Sequence, residues 1–223
     1  MPTSSPAIPS EATIQRALSE FGVKLDDKQV LSIQQYIRLL LVWNDKVNLT
    51  AIHDPLEILY RHFCESMFGA VAVPLLTGRL ADVGSGGGFP GLPLRILRPE
   101  LNVLLVESNI KKSTFLAEVV RELDFRNVTV HVGRYEEMAD QLAPLDYICS
   151  RAFGEFKDFL AWSSLEKLAV KNVVLWVGAR DLDEIRNIPG WEWREPMAVP
   201  QSLRRLILVG TAVGAASNVP RGT

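Results

Sequence analysis

From Glu11 to about Val73 the apolar positions recur at helical spacing. Leu31, Ile33, Tyr36, Ile37, Leu40, Leu41 and Trp43 line one broad face, and Asp26 and Asp27 supply the short acceptor side chains that open a helix. A second helical stretch begins after Pro55, whose fixed φ suits a first turn, and carries Ile58, Leu59, Phe63, Met67 and Val71. After Pro74 the period changes. Short apolar runs at 80–83, 103–106, 128–132, 147–149, 173–177 and 206–209 alternate with helix-length segments, and 191–195 reads as an edge-like strand. Runs that are apolar along their whole length predict a doubly wound, mostly parallel α/β sheet covered on both faces. The chain then divides into a disordered start (1–10), an N-terminal helical extension (11–75), a sheet domain (76–210) and a flexible tail rich in Gly, Ala and Ser (211–223). Ligands in this architecture bind at the carboxyl ends of the strands.

With 223 residues, 48% of them hydrophobic, the chain has enough apolar material for one domain with an extension, and one active site is expected. No run is long enough to span a membrane, and the Pro- and Ser-rich start lacks the basic and apolar parts of a secretory signal, so the expected location is cytoplasmic. Cys64 and Cys149 sit on apolar segments and read as buried free thiols, neither a disulfide nor a metal site. A formal net charge of -2 excludes a general polyanion binder. Contact with RNA would require basic residues gathered on one face, and a folded assembly of defined shape suits such a chain better than naked RNA.

The first strand ends in Asp82-Val83-Gly84-Ser85-Gly86-Gly87-Gly88-Phe89-Pro90-Gly91. Glycines at 84, 86 and 88 permit a sharp turn and let a ligand lie against the backbone. Asp82 is placed to accept from ligand amines, and Glu107, at the end of the second strand, to accept from the two hydroxyls of a ribose. A dinucleotide oxidoreductase shares much of this layout, and Gly86, Gly88 and Gly91 even fit its spacing. The strand-end Asp is instead typical of class I S-adenosylmethionine-dependent methyltransferases, and no hydride-transfer constellation follows it. No Gly-Lys-Ser/Thr follows the loop, which excludes a P-loop hydrolase.

Seven blocks in order resemble the bacterial 16S rRNA guanine-N7 methyltransferase family, also called glucose-inhibited division protein B. They lie at 43–52, 61–66, 82–91, 107–116, 133–137, 150–153 and 204–208, so the resemblance spans most of the chain. It implies methylation of N7 of one guanine in the 530 loop of 16S rRNA, presented in the small ribosomal subunit, with S-adenosylmethionine as cofactor. It also implies cofactor contacts from Gly84, Phe89, Glu107, Ser108, Asn109, Tyr135, Glu136 and Arg151. Three positions depart from the family pattern: Val177 stands for a usual Lys, Lys171-Asn172 for Gly-Gly, and Glu65 for Asp. The Val177 departure keeps open a second class of function, a cofactor-binding ribosome assembly or regulatory factor without turnover.

Arg151 could clamp the cofactor carboxylate or an RNA phosphate, or form a plain salt bridge. Glu136 could face the adenine or cap a helix. Lys111, Lys112, Arg134, Arg180, Arg204 and Arg205 are candidate phosphate contacts, and His62 reads as a group orienting a helix junction. No Asp/Asn-Pro-Pro-aromatic motif of amine methylation and no Pro-Cys nucleophile follows the fourth strand. Guanine N7 carries a free lone pair, so catalysis can rest on orientation and no general base is named.

Overall fold

The computed structural model describes residues 7–73, 77–151 and 154–214. The expected domain boundary at 75/76 and most of the expected disordered ends lie outside these residues.

Helix α1 (Glu11–Ser19) is capped by Ser10, whose hydroxyl accepts from Thr13 N–H. Residues 7–10, expected as part of a disordered start, are held in place: Pro9 is buried and its carbonyl accepts from Gln34 Nε2 at 2.9 Å. Helix α2 (Asp27–Val47) opens on a full capping box, Asp26 accepting from Gln29 N–H while the Gln29 side chain accepts from Asp26 N–H. It stops at Asn48, whose left-handed backbone (φ 31°) a short polar side chain tolerates. Asn44 then folds the exit, accepting from Leu49 and Thr50 N–H and donating to Thr50 C=O. Helix α3 (Pro55–Ile58) runs into a π-helical turn, Leu59–Cys64, and on into α4 (Glu65–Ala72). The apolar spacing predicts one continuous α-helix there; the wider turn is a difference the sequence pattern does not reveal.

The sheet contains β1 (Gly78–Val83), β2 (Leu101–Glu107), β3 (Val128–Val132), β4 (Tyr147–Arg151), β5 (Asn172–Gly178), β6 (Trp191–Trp193), β7 (Met197–Ala198) and β8 (Arg205–Ala212). Among the described residues its order is β3-β2-β1-β4-β5-β8-β6, with β7 also pairing β8. β1 to β5 are parallel, and β8 returns antiparallel beside β5. The edge-like reading of 191–195 is met by β6, whereas β7 was not anticipated. β8 also runs past the expected tail boundary, because Thr211 still pairs with Asn172 and Ala212 with Trp191.

Strand residues alternate between two apolar layers. Helices α7 (Ala139–Leu142), α8 (Phe156–Ser163) and α9 (Leu182–Arg186) cover Ala81, Val83, Ile148, Val173, Leu175 and Val177. The other layer joins Leu80, Leu105, Cys149, Val174 and Trp176 to α5 (Gly91–Leu97), α6 (Ile110–Glu122) and the whole helical extension. Both cysteines are buried free thiols. No helix among the described residues is long and apolar enough to cross a membrane.

Trp176 ties the extension to the sheet: its indole N–H donates to Glu65 C=O at 2.7 Å while its ring lies against Gly69. A Cβ at Gly69 would fall 2.2 Å from that ring, which cannot retreat without breaking the bond. Gly69→Ala is therefore expected to destabilise the protein by about 1–2 kcal/mol, net of the helix propensity that Ala gains. Urea denaturation should show a lower midpoint at unchanged slope.

Candidate active site

The loop after β1 is held from three sides. Beneath it lies Asp82, fully buried, with Oδ2 accepting from Gly91 N–H at 2.9 Å and Oδ1 facing the Cys149 thiol at 3.7 Å. Burial pushes this carboxyl up to about 7, against the pull of those donors. The carboxylate expected to receive ligand amines thus meets this chain's own donors beneath the loop. Beside the loop, Glu107 accepts from Gly86 N–H and Asn109 N–H, both at 2.8 Å. Asn109 in turn caps α6, accepting from the N–H groups of Lys111 and Lys112. Above the loop stands the extension, with Tyr36 Oη donating to Gly87 C=O at 2.5 Å.

The glycines differ in what they allow. Gly86 (φ 55°) faces open space, the nearest atom to a built Cβ being Gly84 O at 3.8 Å. Gly88 (φ 88°) was expected to clear space for a ligand, yet the space is taken by Tyr36, whose hydroxyl would stand 2.1 Å from a Cβ. Phe89, expected at the cofactor, has its ring packed into the extension: stacked on Tyr36 at 5.5 Å and on His62 at 4.5 Å, and edge-on to Phe63.

A cleft of about 360 Å³ opens at the carboxyl ends of β1, β2 and β3, lined by Val83, Gly84, Val106, Ser108, Gly133, Arg134, Tyr135, Glu136 and Glu155. That volume lies within the range of small-molecule sites. The structure thus brings Gly84, Ser108, Tyr135 and Glu136 together around one space, with Glu107 and Asn109 immediately behind. Gly133 and Glu155 were missed: a single glycine after β3 and a lone exposed carboxylate carry no spacing signal. Arg134 pairs with Glu136 at 3.1 Å.

Arg151 lies apart from this cleft, on the sheet face covered by the extension. Its guanidinium is 3.4 Å from Glu65, which is also approached by Arg205 at 2.7 Å and Arg61 at 3.3 Å. Three guanidiniums thus share one buried carboxylate, and Arg61 Nε, Arg151 Nη1 and Arg205 Nε are buried without a hydrogen-bond partner. Burial pulls Arg151 down to about 10, which leaves it charged at neutral pH. His62, beside this cluster, meets Thr50 Oγ1 at 2.7 Å, and burial among arginines lowers it to about 3, so it stays neutral. The salt bridge that was the alternative reading of Arg151, beside a clamp on the cofactor carboxylate or an RNA phosphate, is thus present as part of a larger, cation-rich cluster. Lys111, Lys112, Arg134 and Arg205 all stand along the carboxyl edge of the sheet, and Arg204 adjoins them; Arg180 there pairs with Asp181. Val177, the departure from the family pattern, points into the opposite layer and removes nothing from the arginine cluster.

Residues 29–190 match the family described as rRNA small subunit methyltransferase G. The chain belongs to this family. A relative named ribosomal RNA small subunit methyltransferase G from Stutzerimonas stutzeri (strain A1501) is 38% identical over 177 residues, covering 78% of this chain and 80% of the relative. Another of the same name, from Herminiimonas arsenicoxydans, is 36% identical over 199 residues, covering 84% and 89%. Among solved structures, a putative O-methyltransferase from Klebsiella pneumoniae superposes with a TM-score of 0.58 at 14% identity, covering 79% of this chain and 89% of that one. The ribosomal protein L11 methylase of Lactobacillus delbrueckii subsp. bulgaricus gives 0.55 at 16% identity, covering 69% and 79%. These two establish the class I methyltransferase fold. The family member described here is an rRNA methyltransferase that uses S-adenosylmethionine as methyl donor.

The buried Asp82 generates a test. Between its ordinary value of 3.8 and about 7 the unfolded chain has released this proton while the folded chain still holds it. The folded state binds more protons in that window, so stability falls as pH rises through it and levels off above. Asp82→Asn keeps an acceptor for Gly91 N–H and removes the titration. Chemical denaturation at about pH 5 and about pH 8 should show the wild type losing stability relative to the variant.

Proposed function

We propose that the methyl group is delivered to N7 of a guanine in the 530 loop of 16S rRNA, presented within the small ribosomal subunit in the cytoplasm. The observation that carries the RNA side of this reading is the cluster at Glu65. Three guanidiniums against one carboxylate, each with a buried donor left over, give this edge a net positive charge and spare N–H groups. A phosphate meets the planar fork of arginine with paired hydrogen bonds. Arg61 and Arg205, with Arg204 outside them and Lys111 and Lys112 further along the same edge, would hold the RNA backbone beside the loop. Arg151, the most buried of the three, serves either that phosphate or the carboxylate of the cofactor.

The cofactor fits the cleft on two counts. Gly86 leaves room directly against the backbone, and Glu107 stands at the end of β2 with acceptor capacity beyond its two loop bonds. Gly84 and Gly86 would lie under the ligand, Glu107 with Ser108 and Asn109 at its ribose, and Tyr135 and Glu136 at its base. Bound there, it supplies an electrophilic methyl group on a sulfonium. N7 attacks with a lone pair that needs no prior deprotonation, so the protein's part is to orient the base and exclude water. His62, held neutral, and the buried arginines offer positioning and charge; none is required as a base.

A small-subunit substrate carrying 7-deazaguanine at the target is the direct test. No methyl incorporation is expected, while cofactor affinity measured by calorimetry stays unchanged. Methylation of that analogue at the wild-type rate, or a product that digests to an N2-methyl nucleoside, would overturn the N7 assignment and leave the cofactor site standing.

A further inference from the structure

The glycine loop is not closed by its own domain. Its inner turn is self-contained: Gly88 and Phe89 N–H donate to Ser85 C=O at 2.7 and 3.1 Å, and Gly84 and Ser85 N–H to Val106 C=O at 2.9 and 3.1 Å. Asp82 and Glu107 fix its two flanks. The outward-facing carbonyl of Gly87, one residue after the position that faces the ligand space, is taken by a side chain 51 residues away in the helical extension, Tyr36. Tyr36 is fully buried, its ring lies parallel to Phe89 with 7° between the planes, and Phe63 packs against it edge-on. Burial, with Asp82 nearby, raises the phenol well above its ordinary range, so it remains a donor. Gly88 has no side chain where that hydroxyl passes, so loop and helix are fitted to each other at three consecutive residues, Gly87, Gly88 and Phe89.

We infer that Tyr36 is a positioning residue for the cofactor: through Gly87 it sets the height of the loop on which the ligand lies, making the helical extension part of the cofactor site as well as the cover of the sheet. The inference rests on the reading that the ligand lies against Gly84 and Gly86. A ring alone would fill the core equally well. The hydroxyl adds a single directed bond, and that bond ends on the loop backbone.

Tyr36→Phe keeps the ring and its stacking and removes only that bond. The expected result is a rise in the KM and calorimetric Kd for S-adenosylmethionine of about threefold to tenfold, the range of one buried hydrogen bond. The kcat at saturating cofactor and the KM for small subunits should hold, since the loop is complementary to ground and transition states alike. Two companions make the outcome decisive. Ile14→Val, a truncation in α1 within the same apolar layer, should lower the melting temperature without moving cofactor affinity. Gly86→Val should abolish cofactor binding in a folded chain. Unchanged affinity in Tyr36→Phe beside lost binding in Gly86→Val overturns the inference alone, whereas normal binding in Gly86→Val overturns the site reading on which it rests. A loss in Ile14→Val as large as in Tyr36→Phe at equal cost in melting temperature, or a loss confined to kcat, also overturns it.

Discussion

A sheet of parallel strands has no face that water can solvate, because its side chains are apolar on both sides. One layer here is closed by α7, α8 and α9. The other is closed only in part by α5 and α6, and the remainder falls to α1, α2 and the helix at 55–72. That requirement makes one cooperative body of two segments that read as separate from the sequence. Ile14, Tyr36 and Met67 share a single apolar cluster with Leu80, Leu105 and Trp176. The arginine cluster and the outer support of the glycine loop follow from this union, because the extension brings with it Tyr36, His62, Arg61 and Glu65.

Three carboxylates are buried near that edge, and each escapes the cost of burial differently. Glu107 is met by two backbone N–H groups. Glu65 is surrounded by guanidiniums from the extension, from β4 and from β8. Asp82 is fully buried with one N–H, a thiol and the Ser85 hydroxyl as its donors; burial outweighs them, and it holds a proton up to about neutral pH. The order of these environments also sorts roles: Glu107 borders the cleft, Glu65 organises cations, and Asp82 supports the loop from below.

What the sequence made legible is what is local. Apolar runs located the strands β1 to β6 and β8, and the Asp26 cap and Pro55 located helix starts, because each depends on residues within a few positions. Gly84, Ser108, Tyr135 and Glu136, which the family resemblance pointed to, line one cleft where strand ends in this architecture converge. What stayed hidden is where a residue's surroundings come from far along the chain. Gly88 and Phe89 carry the marks of a ligand loop, yet they meet Tyr36, and Asp82 carries the marks of a ligand acceptor, yet it is used by Gly91. The arginine cluster was equally hidden, since Arg61, Arg151 and Arg205 are brought together only by packing of the extension on the sheet.

The π-helical turn at Leu59–Cys64 has a consequence for how relatives of this chain are aligned. It holds an extra residue within a helix that otherwise closes at α spacing, so Arg61 and His62 face the sheet edge while α4 keeps Gly69 under Trp176. Each residue of an α-helix turns the chain by about 100°. A one-residue gap in this stretch would leave the backbone ladder helical and yet swing the preceding cation and imidazole away from Phe89 and Glu65. An insertion or deletion there is thus equivalent to a change of side chains at the site, although every residue name on either side of it stays the same.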